Sequence, residues 1–395
     1  MKLLLFLEHR FYHVGTEVYS ERIVNYAYFQ RYLNVFDSVT VCGRFGRHIP
    51  EKKIKASGEG VEFLELPDFQ GFNGLAKSLF PCKNVIESHI KEYDAVMIRT
   101  PSPISMFAYP IVKKSGLPFA IEVVINPKTM FSKDSYPSKF QPLISAAFTK
   151  HTKDICMTAN GVSYVTEHVL QDMYPCRAMK ECSNPVYFTA SYSTIDLKDE
   201  NYWEHPHSHQ TGQPFVISHT GYMDTYSKGH LAVIDVASKL IDDGIDVRVD
   251  FIGSGELQEE FEKHAVGKGI RDKIVFHGNL SEYTKVQEIL KETDVFLFPT
   301  SSEGLPRSLI EAMANSCAAV STPVDGITEL LPAEYLANYS DINALYQKVR
   351  SLLINDSERT EVARINYKKA EKYRSEFLTE RRNEFYFKLR KLAQK

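Results

Sequence analysis

Short β-rich runs recur along this chain with helical patterns between them, and they come in two series. The first half offers KLLLFL from Lys2, SVTVC from Ser38, VEFLEL from Val61, DAVMIR from Asp94, PFAIEVVI from Pro118 and GVSYVT from Gly161. The second offers PFVISH from Pro214, VRVDFIG from Val247, KIVFHG from Lys273, VFLFP from Val295 and AAVST from Ala318. Strands alternating with helices imply parallel sheets covered on both faces. At 395 residues the chain is long for one core, so two α/β domains are expected. They read as two Rossmann-like domains, 1–185 and 214–372. The polar, aromatic stretch 186–213 between them has no clear periodicity and reads as a linker.

Composition narrows the class without choosing a function. The formal net charge of −3 argues against a nucleic-acid binder. No apolar run approaches the roughly 18 residues of a membrane span. The opening MKLLLFLEHR is too short in its apolar part for a signal peptide and reads better as a first buried strand. Cys42, Cys82, Cys156, Cys176, Cys182 and Cys317 show no C-x2-C spacing, so neither a zinc site nor a disulfide framework is expected. These features together suit a cytoplasmic protein.

The chemistry concentrates between Asp294 and Leu331. An apolar strand ends in Pro-Thr-Ser-Ser, followed by Glu303, then Gly304-Leu305-Pro306, then a helical pattern carrying Glu311. Proline suits the first turn of a helix, where its missing N–H is not needed. Free N–H groups of that turn, with the backbone of Gly304 and Leu305, make an anion-binding helix start. Glu311 lies about a turn and a half inside it. Phosphates would meet the N–H groups, while each Glu would accept bonds from ribose or sugar hydroxyls.

This stretch resembles the retaining glycosyltransferases of family four, whose signature is Glu-x7-Glu. The resemblance is close at SSEGLPRSLIEAMA and VDGITELL, and looser from Gly221 to Leu331. It implies the α/β GT-B fold, with two Rossmann-like domains facing a central cleft. A C-terminal helix at about 373–395, with Phe377, Phe385, Leu389 and Leu392 at helical spacing, would pack back on the first domain. The second domain would hold a nucleotide diphosphate sugar and the first a glycan or lipid-linked acceptor. The reaction implied is hexosyl transfer with retention, in surface polysaccharide biosynthesis.

Carried over position by position, the resemblance makes Lys228 the phosphate-binding lysine of a Gly221…Lys228-Gly229 segment. Many relatives have an arginine where this chain has Tyr222. Gly278 would place backbone at the base pocket, and Gly326 would lie in the loop that wraps the donor. Asp325 stands where relatives usually have a glycine and would alter sugar selection. Gly15, read as lying between a strand and a helix, matches a glycine-rich loop facing the donor phosphates. Glu303 and Lys228 are thus the expected catalytic pair. Glu311, Gly304, Leu305, Gly15, Gly221, Gly278 and Gly326 are the expected substrate contacts.

Several features stay open or bland at this level. Glu122, on an apolar strand, is either a paired structural acid or an acceptor contact. Arg99 either marks the mouth of a site or ends a strand in water. Gly253 and Gly255 fit a tight turn as well as a nucleotide contact. No Asp-x-Asp occurs, so neither a catalytic metal nor another cofactor is expected. His205, His207 and His209 alternate in HPHSH, but the run lies in the presumed linker, far in sequence from the donor motif, and metal binding is not expected there. The basic tail with Phe385, Tyr386 and Phe387 suits either peripheral contact with the inner membrane face or a packed helix. An epimerase using the same donor pocket, or a non-catalytic nucleotide-binding protein, are the alternatives. A nicotinamide-dependent oxidoreductase is disfavoured, because no Gly-x-Gly-x-x-Gly follows the first strand.

Overall fold

The computed structural model describes residues 1–394 except 22–23, 70 and 281. The first sheet is built from β1 (Lys2–Val14), β2 (Glu17–Ser20), β3 (Ser38–Phe45), β4 (Ile54–Lys55), β5 (Val61–Pro67), β6 (Ala95–Thr100), β7 (Phe119–Val123), β8 (Gly161–Tyr164) and β9 (Phe188–Ser191). Its parallel strands run β5-β3-β1-β6-β7-β8-β9. Leu3, Leu4, Leu5 and Phe6 are all fully buried in succession, the pattern of a strand covered on both faces. Helices Gly71–His89 and Pro103–Ser115 supply part of that cover.

The second sheet is wholly parallel, in the order β12-β11-β10-β13-β14. Its strands are β10 (Phe215–Thr220), β11 (Val247–Ile252), β12 (Ile274–Gly278), β13 (Val295–Phe298) and β14 (Ala318–Ser321). Val247, Val249 and Phe251 point into a core shared with Val233, Val236, Ala237 and Leu240 of helix His230–Asp242. Every strand expected from the sequence is present, and both units are Rossmann-like.

The chain divides into two compact units, 1–127 with 146–192 and 379–395, and 128–145 with 193–378. The stretch expected as linker, 186–213, is therefore structured. Its first part forms β9, paired in parallel with β8. Its remainder is pinned within the second unit. The backbone N–H of Trp203 donates to the Ala314 carbonyl at 2.8 Å, and the His209 ring stacks on Phe215 with centroids 3.8 Å apart. Aromatic residues, irregular in sequence, find ring partners only in the folded chain.

Gly15 is a second correction. β1 runs on to Val14, and Val14 pairs with Glu17 of β2 in antiparallel register. Gly15 and Thr16 are thus the two-residue loop of a hairpin, not a passage from strand to helix. Its φ of 63° is the conformation that two-residue hairpin turns require.

The C-terminal helix, Ser375–Ala393, contributes Thr379 onward to the first unit; Lys395, the last residue of the expected range, lies outside the described residues. Leu378, Phe385, Tyr386 and Leu389 are buried, whereas Phe377 and Phe387 are exposed. Of the aromatic trio in the basic tail, two face the core, which leaves Phe387 alone among the charges. Among the described residues no helix is long and apolar enough to cross a membrane.

Candidate active site

The second sheet reverses its direction of growth between β10 and β13. From β10 the chain adds β11 and β12 on one side, then crosses over to place β13 and β14 on the other. The C-terminal ends of two such neighbours mark the topological switch point, where open α/β sheets bind their ligands. The loop after β10 carries Gly221 and Lys228, and the loop after β13 carries Glu303 and Gly304.

These two loops are locked together. The Ser227 carbonyl accepts from the Ser301 backbone N–H at 2.8 Å and from Thr300 Oγ1 at 2.9 Å. Gly229 follows with φ 84°, and a Cβ there would lie 1.9 Å from the Pro299 carbonyl oxygen. Only glycine lets the backbones come so close. Across this seam Lys228 Nζ donates to Glu303 Oε1, with both side chains largely buried. Gly221 lies against the base of the lysine, since a Cβ there would be 3.2 Å from Lys228 Cβ.

Helix Arg307–Ala314 begins directly after this point, with Pro306 as its N-cap. The sequence placed Pro306 inside the first turn. Its ψ of 115° is extended, so the helix starts one residue later. The first intrahelical bond runs from Ile310 N to Pro306 O at 3.3 Å. The N–H groups of Arg307, Ser308 and Leu309 therefore form the orphan donor end, where the helix dipole is positive. Gly304 and Leu305 are buried in the approach. The Gly304 carbonyl accepts from the Gly326 N–H at 2.9 Å, which ties the loop after β14 to the same place.

Glu311 sits further along this helix, half-buried. Desolvation pushes its carboxyl up to about 7, against the opposing pull of Arg307 one turn earlier. Asn315 Nδ2 donates to the Tyr283 hydroxyl at 3.2 Å and to the Glu311 carbonyl at 2.9 Å. Burial, and then the Glu311 carboxylate, raise the Tyr283 phenol. Arg307 was legible in principle from its i, i+4 spacing to Glu311. Tyr283 arrives from a helix 28 residues earlier in the chain and carried no signal.

Two histidines underlie the lysine loop. His219 and His230 are fully buried, with ring centroids 4.5 Å apart. Burial lowers His219 to about 4, which leaves it neutral at ordinary pH, and pushes His230 well below the usual imidazole range. His219 Nδ1 lies 2.9 Å from the Leu297 carbonyl, which can only accept, so Nδ1 holds the proton.

The remaining expected residues fall as follows. The Gly278 carbonyl, at the end of β12, accepts from Gly253 N–H at 2.9 Å, and Gly221 N–H donates to Ile252 O at 3.0 Å. The three loops after β10, β11 and β12 are thereby linked. Gly253 and Gly255 serve close packing, since a Cβ on either would clash with the backbone of Gly221 or Met223. His277 is bonded to Asp250 at 3.0 Å and is structural. Asp325 takes φ 40°, the left-handed region that favours glycine, and its Oδ2 accepts from Thr129 Oγ1 at 2.6 Å. In the first unit, Glu122 accepts from Tyr386, Tyr192 and Tyr32 at 2.9, 3.2 and 3.3 Å, and so is a paired structural acid. Arg99 donates to the Tyr28 hydroxyl in the same aromatic cluster rather than ending a strand in water.

Residues 203–369 match the family model described as glycosyl transferases group 1, a span that contains Gly221, Lys228, Gly278, Glu303, Glu311 and Gly326. Protein CapJ of Staphylococcus aureus is 25% identical over 376 residues, which are 93% of this chain and 88% of that one. The capsular polysaccharide biosynthesis glycosyltransferase CapM of the same organism is 23% identical over 203 residues, about half of each chain. Among solved structures, sucrose-phosphate synthase of Thermosynechococcus elongatus superposes with a TM-score of 0.70 at 13% identity, covering 99% of this chain and 98% of that one. That likeness shows the GT-B fold.

Proposed function

We propose, on the premise that the second unit belongs to the group 1 glycosyl transferases, that this chain moves a hexose from a nucleotide diphosphate sugar to a hydroxyl of a glycan or lipid-linked acceptor, with retention. The carrying observation is the Lys228–Glu303 pair, set across the switch point of the second sheet and beside an open helix start. A cation, a ring of backbone donors and a carboxylate in one place suit a sugar joined to a diphosphate. The similarity to a capsular polysaccharide biosynthesis glycosyltransferase supports a role in polysaccharide assembly.

In this reading the diphosphate oxygens meet Lys228 Nζ and the N–H groups of Arg307 to Leu309. The bond between the anomeric carbon and the phosphate oxygen breaks, and negative charge grows on the departing diphosphate. Fixed donors aimed at that charge lower the barrier without reorganisation. The acceptor oxygen attacks from the same face and passes its proton to the leaving phosphate, so no separate base is required. Glu303, released from part of its bond to Lys228, stabilises positive charge on the sugar. Glu311 accepts from the ribose hydroxyls. Transfer proceeds without a metal, because Lys228 and the backbone dipoles meet the phosphate charge.

Replacing Glu303 by Gln tests this. Binding of the bare nucleotide diphosphate, measured by calorimetry, should stay the same or tighten slightly, since Lys228 is freed. Transfer should slow by about a hundred-fold or more, because the lost charge acts only in the transition state. Lys228→Ala should lose affinity and rate together. Full transfer activity in Glu303→Gln would remove the main support for the proposal.

A further inference from the structure

In the folded chain, two histidines of HPHSH meet a carboxylate from far along the sequence. Asp294 immediately precedes β13, at the end of the strand opposite Glu303. It is 1% exposed. His209 Nδ1 lies 3.4 Å from Asp294 Oδ2, and His207 Nε2 lies 4.0 Å from Oδ1. All three ligand atoms lie within 4.8 Å of one another. The two histidines, with only Ser208 between them, both reach Asp294.

The separations are too long for hydrogen bonds, which close at roughly 2.7–3.2 Å. They fit a different geometry. Ligand atoms at about 2.0–2.1 Å from a tetrahedral ion stand about 3.3–3.4 Å apart along an edge. The 3.4 Å from His209 Nδ1 to Asp294 Oδ2 equals such an edge, while His207, 4.0 Å from Oδ1, needs to move in by about 0.6 Å, the carboxylate offering one oxygen to each side. The His209 ring is already oriented by its stack on Phe215.

Asp294 also has electrostatic room for a cation. Its Oδ2 accepts from the Val216 N–H at 2.8 Å, whereas Oδ1 is buried without a hydrogen bond. Arg359 approaches Oδ1 with Nε at 3.6 Å, but its Nη atoms are committed to the carbonyls of Leu352 and Leu353 and to Asp356. One arginine is thus shared between two carboxylates. A buried carboxylate so placed gains from a second positive partner.

We propose that His207, His209 and Asp294 form a structural site for a divalent cation of the zinc class, with water as the fourth ligand. Two imidazoles and one carboxylate are donors that Zn²⁺ accepts. The ion fastens the 205–209 segment to the N-terminal end of β13, opposite the end that carries the candidate active site. The four residues of β13 alone hold the two sites more than about 13 Å apart.

Zn²⁺ titration of the metal-stripped full chain, followed by calorimetry, should show one equivalent bound, and Tm should rise with Zn²⁺ concentration. His207→Ala and His209→Ala should each weaken binding at least ten-fold and remove the thermal gain. His205→Ala, whose ring packs on Trp203, should change neither. Cys182→Ser removes the exposed thiol and should also leave binding intact. The two histidines lie in a partly exposed segment, so each variant should fold, and far-ultraviolet circular dichroism checks that it does. Failure to bind one equivalent overturns the site. Binding that survives the loss of both histidines, or that vanishes with Cys182→Ser, overturns it equally.

Discussion

A carboxyl group raised to about 7 is half-ionised at neutral pH, and Glu311 is in that position because burial disfavours its charge. The sign of the linkage follows from proton counts. Below the ordinary carboxylate range, the folded and unfolded chains both hold this proton. Between about 4.5 and about 7 only the folded chain holds it, so its contribution to stability falls as pH rises, and it is flat above. Glu311→Gln should therefore stabilise the ligand-free protein at pH 8, by up to roughly 3 kcal/mol, and give no gain near pH 4. Urea denaturation of both proteins at the two pH values measures this. The buried neutral histidines 219 and 230 slope the other way, but they are common to both proteins and cancel in the difference. The same substitution should weaken nucleotide diphosphate binding about ten-fold above pH 7, where the carboxylate would otherwise accept the ribose hydroxyls. Equal stability differences at both pH values would show that Glu311 is not desolvated.

Glu122 shows what the elements of the first unit contribute to one another. It lies on β7, and its three hydroxyl donors come from helix Tyr26–Leu33, from the residue after β9, and from the C-terminal helix. Tyr386→Phe removes one hydrogen bond to a buried carboxyl oxygen and should cost about 1–3 kcal/mol of unfolding free energy; an unchanged denaturation midpoint would refute the assignment. Elements of this sheet were legible where the chain is locally apolar, as in KLLLFL or DAVMIR. The short strands β2, β4 and β9 were not, since they are defined by the partner they pair with rather than by their own pattern. Gly15 was misplaced for the same reason: a hairpin turn and a strand-to-helix loop both ask for glycine, and only the register of Val14 on Glu17 separates them. Glu303 and the helix behind it could be read because strand, loop and helix start are contiguous there. Asp294 and the HPHSH histidines are more than eighty residues apart, and no local pattern joins them.

Taken as a whole the chain has a separate core in each unit, and residues 128–145 belong with the second although they fall in the first half of the sequence. Nothing local announces that membership, which rests on distant contacts such as the bond from Thr129 to Asp325. Metal removal is a test at this scale. Transfer by the intact protein should survive EDTA, because phosphate charge is met by Lys228 and backbone dipoles, while Tm should fall as the cation held by His207, His209 and Asp294 is withdrawn. Loss of transfer in EDTA with recovery in Mn²⁺ would overturn the metal-independent reaction. The chain also contains a single tryptophan. Trp203 is bonded through its backbone to the last residue of helix Arg307–Ala314, whose other end meets the proposed diphosphate, and Lys291 lies 4.2 Å over its ring. All indole emission from the protein thus has one origin, and a shift in that emission on adding nucleotide diphosphate gives an unlabelled optical gauge of the helix that reads the donor.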